Sequence, residues 1–220
     1  MSLPNPHPHS SPIRITEVAI LPLNHPNPVY LPYYTLDHLA MAKNVLEASS
    51  GHTFTYYRSL NEPPALYLFG SWDSFEAHAA FLPSPVNLEL LKLLKDDLRI
   101  DAIQMWHLDA DIFKVEEGRK SILEAGTLGF GRYIVPDVEE FLEKYGGLRE
   151  NLIEVSKCVG SEARYQVTGG LKIEQRDVEE WDMFYRFDGE DGADLSELQF
   201  SINEAVRETV VQHLKRLELV

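Results

Sequence analysis

Residues 65–85 read ALYLFGSWDSFEAHAAFLPSP, and the fold turns on how they divide. Their first eight positions, Ala65 to Trp72, are aliphatic and aromatic with one glycine, which is the chemistry of a strand. Asp73 stands three residues before Glu76, the spacing of a capping box, so a helix is expected from there. Pro83 and Pro85 interrupt that helix, and the apolar spacing of NLELLKLLKDDL resumes it. A strand that runs straight into a helix, with a tryptophan at the junction and His78 one turn on, is either a pocket wall or a packed corner.

Working outward, residues 13–23 (IRITEVAILPL) and HTFTYYRSL read as strands, and RIDAIQMWHLDADIF as a fourth. Between the first two, Thr35 is expected to cap a helix through Leu36, Leu39, Ala42 and Leu46, closed by Gly51. The order βαββαβ is the split, ferredoxin-like arrangement. The second half repeats it. AGTLGFGRYIV is a strand, Pro136 opens a helix, RYQVTGGLKIEQ and WDMFYRF are strands, and DLSELQFSINEAV is helical before the closing VQHLKRLELV. A repeat of half the chain is the strongest architectural signal.

The expected division is a disordered leader over residues 1–12, a first unit over 13–112, a charged link over 113–124 and a second unit over 125–220. Helices cover one face of each four-stranded sheet. Both parities of the strands are apolar, so the other face needs cover too. The expected fold is therefore α+β: two ferredoxin-like units packed sheet to sheet, as in a dimeric-type α/β barrel held in one chain. That chain is expected to be a monomer with an internal pseudo-dimer, a homodimer being the alternative.

Composition limits the partners. The 220 residues carry 35 acidic and 20 Lys or Arg side chains, a formal charge of −15. That balance repels phosphate backbones and anionic membranes, which need clustered cations. No run approaches the roughly 20 apolar residues of a membrane span. With one cysteine, Cys158, neither an internal disulfide nor a cysteine-rich zinc motif can form. A cytoplasmic protein with a neutral or hydrophobic small-molecule ligand is expected.

The segment YYRSLNEPPALYLFGSW, followed by a helix and FLPSP, resembles the antibiotic biosynthesis monooxygenase family of dimeric α/β barrels. The resemblance covers about residues 13–112, and the tandem chain is similar to fungal members in which one half keeps the site. It implies a ligand between sheet and helices beside Trp72. Cofactor-free oxygenases of this family carry an Asn four residues before the Trp and a Tyr six after it; this chain has Leu68 and His78 there. Haem-degrading relatives place a histidine where this chain has Leu90 or Leu91, so haem has no evident ligand. Other members carry a histidine at the position of Phe81.

Strand alternation puts Leu68, Gly70 and Trp72 on one face. Gly70, lacking a side chain, is expected to leave room above the strand. His78 titrates near neutrality and is the candidate acid or base, with a capped helix histidine as the alternative. Trp72 is paired with it as catalytic, and Leu68, Gly70, Phe81, Tyr56 and Trp106 are the candidate substrate contacts. Trp106, in phase with Leu108 and Ile112, also fits a core position. Tyr56 and Tyr57 face opposite ways. His107, Asp109 and Asp111 share a strand face that reads as a solvated end, since three ligands on one strand cannot enclose an ion. NPHPHSS reads as disorder, and GTLGFG runs on as strand, unlike a dinucleotide loop. No metal or cofactor is expected.

These features point to secondary metabolism. The favoured activity is cofactor-free cyclisation or isomerisation of a hydrophobic polyketide or terpenoid, including Diels–Alder closure guided by pocket shape. Oxygenation of an aromatic polyketide by O₂ is the alternative activity, and non-catalytic binding of a hydrophobic metabolite the third.

Overall fold

The computed structural model describes residues 14–24, 30–60, 65–115, 121–158, 165–174, 178–187, 206 and 208–219. The first half runs β1 (Ile15–Pro22), α1 (Tyr33–Ser50), β2 (Phe54–Ser59), β3 (Ala65–Trp72), α2 (Phe75–Phe81), α3 (Pro85–Leu94) and β4 (Gln104–Leu108). The second half runs β5 (Thr127–Val135), α4 (Val138–Cys158), β6 (Tyr165–Leu171), β7 (Glu179–Phe187) and β8 (Glu208–Arg216). The leader over 1–12 and, apart from Val206, the helix expected over 194–206 lie outside the described residues. No described helix is long and apolar enough to cross a membrane.

The strand order is β4-β1-β3-β2-β8-β5-β7-β6, so one ferredoxin-like order occurs twice along a single sheet. The halves join edge to edge where Tyr57, Arg58 and Ser59 pair with Arg216, Lys215 and Leu214. The far edges also meet. Leu108 bridges Lys172, the Asp109 N–H donates to the Leu171 carbonyl at 2.9 Å, and the Ile173 N–H donates to the His107 carbonyl at 2.8 Å. The eight strands thus close into a barrel, which removes exposed sheet edges. The inner faces meet as expected, but inside one continuous sheet.

Closure explains why all eight residues of β3 are buried. Tyr67 and Phe69 point into the barrel, where Tyr57, Phe130 and Phe184 surround them at ring-centroid distances of 5.1–6.1 Å. Leu66, Leu68 and Trp72 point outward into a core shared with Leu39, Leu46, Phe81, Leu90 and Leu94. The second half has a matching outer core, with Phe141 and Tyr145 of α4 packed on Trp181.

Helix starts fall close to their expected places, with different caps. α1 begins at Tyr33, because Pro32 holds the extended residue before it. The Thr35 hydroxyl instead donates to the buried Asp97 carboxylate at 2.5 Å. In place of Asp73, Ser74 caps α2: it is the last extended residue, and its Oγ accepts from the Ala77 N–H at 3.2 Å. Ser84 caps α3 in the same way, with Pro85 in the first turn. Asp137 caps α4, so Pro136 precedes that helix.

Candidate functional site

The outer face of the first half gathers most of the expected residues. Trp72, at the end of β3, is 2% exposed and stacks on the His78 ring of α2, with centroids 4.5 Å apart and planes 18° from parallel. Phe81 lies 5.2 Å from Trp72 one turn further along, and Leu68 and Tyr56 join the same outer cluster. The Ser74 cap sets the phase of α2 that turns His78 inward, where it too is 2% exposed.

Two expectations change. Gly70 leaves no room for a ligand: a Cβ there would lie 1.9 Å from the nearest ring atom of Phe54, its direct partner across β2. The glycine makes room for a neighbour's ring. Trp106 sits inside the barrel, on the opposite sheet face from Trp72. Its indole N–H donates to Asp182 at 2.6 Å, and the Arg132 guanidinium lies 3.9 Å over its ring. Burial is the main force pushing the Asp182 carboxyl up to about 7, against the pull of Arg132, Trp106 and Lys172. Trp106 therefore anchors a polar cluster that joins β4 to the second half.

Three residues not singled out as candidates complete the site. Glu17, on β1, is buried, and its Oε2 accepts from the Trp72 indole N–H at 2.7 Å. His78 Nε2 lies 3.6 Å from the same oxygen, beyond hydrogen-bond range. His107, read as part of a solvated strand end, is 3% exposed, and its Nε2 is 2.5 Å from His78 Nδ1. On its other side, His107 Nδ1 lies 2.5 Å from Oε1 of Glu174, whose Oε2 accepts from the His107 backbone N–H at 3.0 Å. Phe75 covers His107 edge-on at 5.2 Å. Glu17 left one signal in the sequence, a carboxylate in phase with Ile15, Ala19 and Leu21. Glu174 left none, because barrel closure brings it to His107.

Burial works against charge on both His78 and Glu17. Burial, then the neighbouring His107, lower His78 to about 4, against the pull of Glu174. Burial also raises Glu17, opposed by the Trp72 hydrogen bond and by His107. Glu174 behaves in the opposite sense. Desolvation pushes it up, yet the hydrogen bonds from His107 hold it below the usual carboxylate range.

A cleft of about 370 Å³, lined in part by Lys43, Asn44, Phe54, Tyr56, Leu217 and Leu219, opens on the other side of Phe54. The Phe54 ring meets Trp72 edge-on at 6.0 Å, so it stands between this cleft and the buried cluster. Among the described residues, no group of three or more His, Cys, Asp and Glu side chains is placed to hold a metal ion. Helix α3 turns Leu90 and Leu94 to the core, which offers haem iron no donor.

No family model matches the sequence, and no curated protein does. Solved structures do resemble it. The "Putative monooxygenase" of Fusobacterium nucleatum is 10% identical over 94% of this chain and 93% of its own, with a TM-score of 0.60. An anthrone oxidase-like protein is 13% identical over 93% and 92%, with a TM-score of 0.58. Chlorite dismutase from Candidatus Nitrospira defluvii, in complex with imidazole, is 13% identical over 96% and 93%, with a TM-score of 0.56. At these identities the likeness is one of fold.

Proposed function

We propose that the chain is an enzyme that moves a proton on a hydrophobic substrate, with His78 as the base and Trp72 as the wall beside it. The observation that carries this reading is a buried imidazole stacked on Trp72 and joined through its far nitrogen to a second imidazole. An imidazole kept neutral has a lone pair free to take a proton. Leu68, Tyr56 and Phe81 supply an apolar surround suited to a polyketide or terpenoid skeleton.

The favoured reaction is isomerisation or cyclisation that begins with loss of an acidic C–H or phenolic O–H proton. A Diels–Alder closure moves no proton, and it would leave the hydrogen-bonded run from His78 through His107 to Glu174 without a purpose. Their linkage favours the proton-transfer route. Substrate enters from the Tyr56 cleft as the Phe54 ring leaves Gly70, since the Trp72–His78 contact is closed in the resting structure.

Oxygenation by O₂ is the second reading. The names carried by the monooxygenase and anthrone oxidase-like neighbours favour it, and it shares the first step. The deprotonated carbon of a ring methylene would react with O₂ to give a carbonyl and one water, the substrate supplying all four electrons. Neither route calls on a bound cofactor.

The test uses a panel of anthrone-type ketones and naphthols in D₂O. Deuterium entering carbon faster than in protein-free buffer supports proton transfer, and oxygen uptake with a mass gain selects the second reading. Binding without exchange or oxygen uptake across the panel leaves a metabolite binder and refutes the proposal.

A further inference from the structure

We infer that Glu174 and His107, brought across the barrel closure, are the proton sink of His78 and determine which of its nitrogens is basic. The inference rests on the reading of His78 as the base. Its support is the direction of each hydrogen bond in the chain.

Glu174 accepts two bonds from one residue, the backbone N–H and the ring Nδ1 of His107. An ionised carboxylate only accepts, so His107 Nδ1 carries hydrogen in every state of the chain. One hydrogen then remains to be placed between His107 Nε2 and His78 Nδ1. With both rings neutral, it sits on His78 Nδ1. The one free lone pair of the dyad is then His78 Nε2, which faces the Glu17 and Trp72 side.

Proton uptake at that lone pair need not leave charge on His78. An N–H bond forms at His78 Nε2, the bond at His78 Nδ1 breaks, and a bond forms at His107 Nε2. One proton enters, and the positive charge ends on His107 against the Glu174 carboxylate. His78 stays neutral and changes tautomer. This resolves a conflict in the site: burial disfavours a charged His78, yet a base must accept a proton. Glu174 is about one-third exposed, so the relay ends at solvent. Among the described residues, the titratable groups facing His107 are Glu17 from β1, His78 from α2 and Glu174 from the segment after β6, with Phe75 edge-on against the ring.

Ring-nitrogen NMR of the full-length chain labelled with ¹⁵N-histidine tests this directly, because it reads tautomer and charge at each ring. At a pH high enough to leave both rings neutral, His78 and His107 should both be Nδ1–H tautomers. On acidification His107 should become imidazolium, and His78 should switch to Nε2–H in the same transition while staying neutral. Glu174→Gln can accept only one of the two His107 bonds, and it should lower the midpoint by about one pH unit or more. A merely structural tie between the halves would cost stability without moving the tautomer switch.

A wild-type His78 that charges before His107, or keeps one tautomer throughout, overturns the inference, as does an unmoved midpoint in Glu174→Gln. The wild-type titration decides the matter even if that variant does not fold. It needs no substrate. An intact switch beside an inactive exchange assay would refute the proposed function and keep the relay; the reverse would refute the relay alone.

Discussion

Replacing Gly70 by alanine tests the account of the Phe54 ring. The new Cβ would lie 1.9, 2.3 and 2.5 Å from three atoms of that ring, where packed carbons need about 3.5–4.0 Å. The ring is fully buried and must therefore move by more than an ångström. Overpacking of this kind costs about 1–3 kcal/mol. Alanine regains about 0.5–1 kcal/mol of the strand preference that glycine lacks. The neighbouring cleft gives the ring one direction of retreat, which favours the lower part of the range. Gly70→Ala should therefore destabilise by about 0.5–1.5 kcal/mol in urea unfolding followed by both fluorescence and circular dichroism. Phe54→Ala alone should cost about 3–5 kcal/mol. In that background Gly70→Ala should be neutral or stabilising, giving a coupling of about 1–3 kcal/mol. A Gly70→Ala protein at least as stable as wild type, or additive effects, would refute the packing argument.

Other substitutions probe the barrel and the buried chain. Tyr57→Phe removes a hydroxyl 2.9 Å from both the Leu123 and Ala125 carbonyls, and should cost about 1–2 kcal/mol in the same unfolding assay. Glu17→Gln keeps an oxygen for the Trp72 indole N–H, whereas Glu17→Leu leaves it stranded; the leucine variant should be less stable by about 1–3 kcal/mol. Acid should weaken the fold through His78. Its value is lowered from 6.5 to about 4, so the unfolded chain binds the proton first and stability falls as pH drops through that window. The full effect is about 3 kcal/mol, and Glu17, raised by burial, acts in the opposite sense. His78→Asn should flatten the acid limb of the stability profile, and an unchanged limb would contradict the burial account.

Much of the barrel was legible because alternation and repetition are local properties of sequence. The two-faced apolar patterns of ITEVAILPL and AIQMW pointed to sheets covered on both faces, and the repeated order predicted the doubled sheet. Cross-strand register was less accessible. Gly70 reads equally as space for a ligand or for a ring, and only its pairing with Phe54 decides between them. Trp72 and His78 share a junction within seven residues, so their proximity followed from a strand phase and a helix turn. His107 lies 29 residues from His78 and Glu174 67 residues from His107. The first meeting follows from β4 pairing with β1, which sets His107 beside Glu17, and the second from closure between β4 and the end of β6; no local pattern records either. The cap of α2 moved one residue, from Asp73 to Ser74, because neighbouring polar residues have similar capping chemistry and the backbone chooses between them; α4 starts two residues after Pro136 because Asp137, not the proline, supplies its cap.

The most direct measurement for the central claim is the effect of His78→Ala on carbon deuteration of whichever ketone in the panel the wild-type protein exchanges. If His78 is the base, the exchange rate at saturation should fall by about 10²–10⁴ while the dissociation constant changes by only a few-fold. His78→Gln, which cannot carry the proton onward to His107, should stay in the same low range. Exchange at the wild-type rate in a folded His78→Ala protein would place the chemistry elsewhere and leave the Trp72–His78 stack as a packed corner.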